Sequence, residues 1–218
     1  MGDRRAIGTQ EKNARRQQML DAAADLLRDW SFTDITMQRI ADRSGVAKGT
    51  LYLYFSTKEE LFLALLEQGL TAWYSELGDL ADRASGNVSP ASAARVIAST
   101  LSARPILVHL YGLLHSTFGG GIDLESILDF RRRQHRIIST LAPALARRVA
   151  GLSESSASRF LVRLEIVIGG LAWTAFPSQT VAQILREEDL AVFLVDFELE
   201  LTEILSALLT RASAGAGV

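Results

Sequence analysis

The sequence predicts an all-α protein. Apolar residues recur at helical spacing along almost all of its 218 residues, no window alternates apolar and polar residues long enough for a sheet, and Gly, Pro and cap residues punctuate the periodic segments. The same pattern predicts two parts. A three-helix amino-terminal unit over residues 1–56, with a helix-turn-helix at about 36–55, joins through a fourth helix to a larger helical body over 57–211, and 212–218 reads as a disordered tail.

The elements follow in order. The first helix runs from about Gln10 to Asp29, with Met19, Ala23, Leu26, Leu27 and Trp30 on one stripe. Thr36 caps a second short helix that turns Ile40 and Ala41 inward, and Gly45 supplies the left-handed residue that turns the chain sharply. Val46 and Leu51 then pin a third helix onto the first two. Ser56-x-x-Glu59 reads as a capping box, so the fourth helix starts at Thr57 and continues to about Leu77. After the polar loop at 84–90, helices are expected near Pro90–Ala103, Pro105–Phe118, Leu124–Ala150, Glu154–Phe176 and Glu187–Arg211. Gly119-Gly120-Gly121, Gly151 and Pro177 separate them, and Pro143 should kink or split the long Leu124–Ala150 helix.

Composition removes several function classes. Without Cys there is no disulfide framework, zinc-thiolate site or thiol nucleophile, which fits a reducing cytoplasm, the expected location. The polar start, Met1-Gly2-Asp3-Arg4-Arg5, lacks an apolar signal core, and Ala6 breaks a myristoylation pattern. The uncharged runs 105–122 and 166–185 are interrupted by His109, His115, three glycines and Pro177, so no membrane span is expected. Catalysis is not expected either. No Ser/His/acid arrangement lies on recognisable elements, and Gly119-Gly120-Gly121 lacks the Lys-Ser/Thr of a phosphate-binding loop. His109 and His115 are six residues apart with no carboxylate between them, so neither metal nor other cofactor is expected.

The net charge of −2 hides an asymmetry: residues 1–58 hold ten Lys/Arg against seven Asp/Glu, whereas the rest hold thirteen against eighteen. A basic head on an acidic body is the distribution of a nucleic-acid reader attached to something that does not touch nucleic acid. The head carries Thr36-Met37-Gln38-Arg39-Ile40-Ala41, Ser44-Gly45-Val46, Lys48-Gly49-Thr50-Leu51-Tyr52-Leu53-Tyr54-Phe55 and Lys58-Glu59-Glu60-Leu61, in order and without gaps.

With Ala22-Ala23 before them and Phe32 ahead of Ile35-Thr36, these segments make residues from about Arg15 to Trp73 resemble the DNA-binding domain of the tetracycline-repressor (TetR) family of bacterial transcription regulators. The sequence departs from that pattern at Ser31, where Gly is common, at Ala47, where Ser often caps the third helix, and at Leu53, where a polar residue is frequent.

An α-helix fits the major groove, where base edges carry a distinguishable code. Leu51 and Phe55 face the core, which leaves Lys48, Gly49, Thr50, Tyr52, Leu53 and Tyr54 toward double-stranded operator DNA. The resemblance implies that Thr50 and Tyr52 meet base edges and phosphates, that Tyr54 meets a phosphate and that Gly49 lets the backbone come close. Lys48 and Lys58 offer charge to phosphates, Thr36, Gln38 and Arg39 do the same or reach bases, and Arg43 is either a contact or solvated charge. Leu53 is either exposed without a role or a partner for a thymine methyl.

One helix-turn-helix is too small for specific binding at physiological salt, so a homodimer is expected. Phe160, Leu164, Val167 and Leu171 on one helix and Phe193, Phe197, Leu201, Ile204 and Leu208 on the other are the candidate interface; the alternative is a single intramolecular core. The resemblance implies that these two helices pair with their copies in a four-helix bundle. It also implies that the body holds a small-molecule effector whose binding releases a repressor from a palindromic operator. Trp73, His109, Tyr111, His115, Phe118 and Trp173 are the pocket candidates, each with ordinary packing as its alternative. A body that only dimerises or binds protein, with no inducer, is the second functional reading.

Overall fold

In the computed structural model, which describes residues 2–116, 121–175 and 179–215, each cap selects where its helix begins. Helix α1 spans Gly2–Asp29, and a 3₁₀ turn at Phe32–Asp34 leads into α2, Met37–Ser44. Thr36 caps α2 by accepting the Arg39 N–H at 3.2 Å. Gly45 ends it at φ 68°, a conformation that costs a branched residue dearly, and Val46 N donates to the Ala41 carbonyl at 3.2 Å. Helix α3 is only Lys48–Tyr52, and Ala47 caps it without any side-chain hydrogen bond, the consequence of losing a Ser there.

The long helix α4, Lys58–Arg83, belongs to both parts of the molecule. Its first turns bury Leu61 and Phe62, the latter edge-on to Phe32 at 5.2 Å, among α1 to α3, and its later turns bury Leu70, Trp73 and Leu77 in the body. The expected capping box is displaced by one residue. Thr57, not Ser56, accepts the Glu60 N–H at 3.1 Å, and the Glu60 carboxylate, not that of Glu59, accepts the Ser56 N–H at 2.8 Å. Ser56-Thr57-Lys58-Glu59-Glu60 offers two overlapping frames, and Thr57 wins because its hydroxyl also donates to the Gly121 carbonyl at 2.8 Å.

The body continues with α5 Pro90–Ser102, α6 Pro105–Ser116, α7 Leu124–Arg148, α8 Glu154–Ala175, α9 Gln179–Ile184 and α10 Phe197–Ala214. Ser89 and Asp123 cap α5 and α7. Helix α10 packs on α5 and α8, while α8 also packs on α6 and α7. Pro143 lies inside α7, which remains one element. Among the described residues the only β pairing is a bridge between Val88 and Val149.

Three further expectations are corrected. Trp30 leaves the core stripe and is 42% exposed, because α1 ends at Asp29. The expected last helix from Glu187 is broken: a 3₁₀ turn covers Glu188–Phe193, and Asp196 starts α10 by accepting the Leu199 N–H at 2.9 Å. Of the expected tail, 212–214 form the end of α10, with Ala212 packed against the core, while 216–218 lie outside the described residues.

Candidate nucleic-acid interface and the body behind it

Leu51 and Phe55, 0% and 5% exposed, anchor α3 beneath its surface residues, and Arg16 of α1 lies over the Phe55 ring at 5.3 Å. That anchoring leaves Lys48 and Gly49 exposed, Thr50 and Tyr54 half-buried, and Tyr52 and Leu53 exposed at 47% and 83%. A Cβ on Gly49 would meet nothing within 4 Å, so the space there is open to a partner. At the start of α2, Thr36 is exposed while its hydroxyl serves the cap, and Gln38 donates to Asp42 at 2.8 Å. The Arg39 guanidinium stacks on Trp30 at 3.8 Å, which occupies its face and leaves its N–H edges free to turn outward. Sequence periodicity hid this use of Trp30, since an aromatic residue on a helical stripe reads as core.

Two basic residues have other work. Lys58, expected among the phosphate contacts, donates its ammonium to the carbonyls of Phe32 at 2.8 Å and Ile35 at 3.0 Å and sits over the Phe32 ring. It ties the first turn of α4 to the segment before α2, a role set by tertiary proximity and invisible in the sequence. Arg43 pairs with Asp25 of α1 at 3.6 Å, both side chains remaining largely exposed.

Behind this surface α7 meets the start of α4. The Thr57–Gly121 bond joins them, Arg133 forms an ion pair with Glu67, and a Cβ on Gly121 would come within 2.9 Å of Glu59. Beside Arg133 on α7, Arg132 pairs with Asp129 at 3.6 Å, and Arg131 donates to the Gln134 side chain at 2.8 Å.

The body's pocket candidates separate. Trp73 is fully buried and donates its indole N–H to Thr100 at 3.0 Å, so it is satisfied packing. Tyr111, 1% exposed, lies beside a polar chain in which Tyr74 donates to Glu165 at 3.3 Å and Gln134 donates to its other oxygen at 3.1 Å. Burial raises the carboxyl of Glu165 and the phenols of Tyr74 and Tyr111 above their ordinary values. Burial lowers the His109 imidazole below its ordinary value on the half-buried side of α6. Trp173 is corrected: at 66% exposure it lines the outside of α8 and no interior pocket. The His115 side chain and Phe118 lie outside the described residues.

The expected dimer residues divide likewise. Phe160, Leu164 and Leu201 are 1%, 0% and 0% exposed within the single chain, so they form its own core and cannot meet a second copy. Val167, Leu171, Phe197 and Leu208 are half-buried at the margin of that core, Ile204 is half-buried, and Phe193 is 59% exposed in the 3₁₀ turn. The outward apolar stripe of α8 is Val162, Ile166 and Trp173, spaced i, i+4 and i+11 and 49%, 65% and 66% exposed. Sequence reading passed over Val162 although a helical wheel places it opposite Phe160 and Leu164.

No single helix among the described residues is long and apolar enough to cross a membrane.

Comparison with known proteins matches this arrangement at both ends. The family described as bacterial regulatory proteins, tetR family, matches residues 19–65, and the tetracyclin repressor-like, C-terminal domain matches residues 67–215. The HTH-type transcriptional activator FasR of Mycolicibacterium smegmatis is 44% identical over 57 residues, 26% of this chain and 26% of that protein. The chain spans only 38%, 26% and 30% of the length of three curated relatives that it matches. A protein of Streptomyces coelicolor A3(2) described as a possible TetR family transcriptional regulator superposes with TM-score 0.61 at 22% identity, over 92% of this chain and 99% of that one. The transcriptional regulator FadR of Bacillus subtilis, solved in complex with stearoyl-CoA, does so with TM-score 0.55 at 16% identity, over 90% and 98%. At those identities the two structures speak for the fold alone. The family and these relatives are transcriptional regulators rather than enzymes, and with both of its parts matched the chain belongs to the TetR family of bacterial regulatory proteins.

Proposed function

We propose that the chain is a homodimeric, cytoplasmic repressor that holds a palindromic operator and is released from it by a small molecule bound in its body. One observation carries the reading: the chain turns two surfaces outward, the polar face of α3 and the apolar stripe of α8, each on a helix whose other side is fully buried. The first suits a major groove. Lys48 meets phosphate, Thr50, Tyr52 and Leu53 meet base edges, and Gly49 allows close backbone approach, with Tyr54, Thr36, Gln38 and Arg39 at the flanks. The second suits a copy of itself. Val162, Ile166 and Trp173 cross the partner's α8 and α10, with Val167, Leu171, Phe197, Ile204 and Leu208 at the margin of the same interface.

Two half-sites one helical turn apart require the two α3 helices at about 34–36 Å. The Thr57–Gly121 bond and the Arg133–Glu67 pair carry a change in the body to the first turn of α4, and so to that spacing. The test combines light scattering with titration of the chain's own upstream DNA at several salt concentrations. A dimer whose affinity falls steeply with salt supports the reading. A monomer at micromolar concentration, or binding indifferent to salt, overturns it.

A further inference from the structure

The body contains a cavity of about 200 Å³ that none of the pocket candidates lines. It lies among the last turns of α4, the first half of α5, the last turns of α7 and the first half of α8, and Leu77, Val96, Ile97, Leu141, Leu145 and Leu161 supply its wall. Val96 and Leu80, 43% and 38% exposed, stand at its mouth.

Only two of its lining residues are polar beyond the backbone, and both already take part in hydrogen bonds to the surrounding chain. Ser92 accepts a hydrogen bond from the Ser89 hydroxyl at 3.0 Å. Arg148 contributes its stem to the wall, while its guanidinium donates to the carbonyls of Ala81, of Asp82 at 3.1 Å and of Gly86 at 3.5 Å. That charge therefore caps the carboxy-terminal end of α4, where carbonyls and helix dipole attract a cation. Apart from the Ser92 hydroxyl proton, the wall offers a ligand apolar groups, because the Arg148 guanidinium is turned to the carbonyls at the end of α4. Apolar cavities of roughly 150 Å³ stay dry and accept benzene-sized molecules, because water gains no hydrogen bonds there and loses those of the bulk.

We infer that this cavity is a binding site for a neutral, apolar small molecule of one-ring or short-alkyl size, and that it excludes anions. Its position gives the ligand a lever on α4, whose opposite end begins at the helix-turn-helix. That consequence, but not the binding itself, rests on the proposed ligand-released function.

Calorimetry and thermal shift on the full chain, with toluene and benzoate as matched neutral and anionic probes, test the site. Toluene binds one molecule per chain and raises the melting temperature, whereas benzoate does neither. Val96→Trp fills the mouth from an exposed position and abolishes toluene binding, while Leu124→Trp, at the far end of α7, leaves it intact. Circular dichroism and operator binding of Val96→Trp check that it folds. No saturable toluene binding, equal binding by Val96→Trp, or benzoate binding as tight as toluene overturns the proposal. Toluene binding that Val96→Trp removes supports the site even if operator affinity does not change; that last result would count only against release by this ligand.

Discussion

Helices α3 and α8 are the two that carry the proposed contacts with DNA and with a second copy, and they are built in opposite ways. Helix α3 has five residues, far too few to be stable alone, and exists because Leu51 and the following Phe55 are buried among α1, α2 and α4. Helix α8 has 22 residues and is apolar on two sides, one fully buried and one exposed. In α3 the buried and outward residues differ in chemistry, so polarity labels them. In α8 they share a chemistry, and only packing tells them apart.

Breaking α8 on each side gives the largest contrast. Leu164→Ala empties a fully buried site and should lower stability by about 2–5 kcal/mol in denaturant titration. Ile166→Glu, on the outward stripe, should leave the monomer folded yet abolish the dimer in light scattering, and with it specific operator binding. A dimeric Ile166→Glu protein would remove that stripe from the interface.

On α3, Tyr52→Ala should weaken operator binding by roughly 1–3 kcal/mol while the melting curve stays in place. Undiminished affinity would return Tyr52 to a packing role. The two lysines sharpen the same distinction more finely. Lys48→Ala should reduce the slope of log affinity against log salt by about one per subunit. Lys58→Met should leave that slope unchanged and lower the melting temperature instead, since its ammonium holds the Phe32 and Ile35 carbonyls. A reduced slope for Lys58→Met would restore its phosphate contact.

The smallest effect concerns the polar chain that α8 buries. The raised carboxyl of Glu165 favours the protonated form in the folded state, so its stabilising share is full below the ordinary range and is lost as pH rises through the raised value. Glu165→Gln should therefore raise the melting temperature at neutral pH. The gain should shrink on acidification toward about 4.3, the ordinary Glu value. A gain independent of pH would point to packing rather than charge.

Most of the amino-terminal unit was legible because its determinants are local. Thr36 caps a helix three residues away, Gly45 turns the next one, and the spacing of Leu51 and Phe55 fixes which face of α3 is outward. Legibility failed where a side chain met something distant in sequence. Lys58 answers carbonyls more than twenty residues earlier, Arg43 answers Asp25, and Thr57 displaces Ser56 as cap with the added bond to Gly121. In the body, helix positions were readable from period and punctuation, but the 3₁₀ turn before α10 was not, because Asp196 caps a break inside an otherwise continuous apolar pattern.

The sequence by itself determined an all-helical chain, the place of its helix-turn-helix and the residues that α3 presents, since helical period, caps and turns act within a few residues. Tertiary structure alone decided which side of α8 is core, that Trp173 faces outward, that Lys58 serves the fold, and that an apolar cavity lies under Val96. Two apolar faces of one helix are equivalent to water until neighbouring helices have buried one of them.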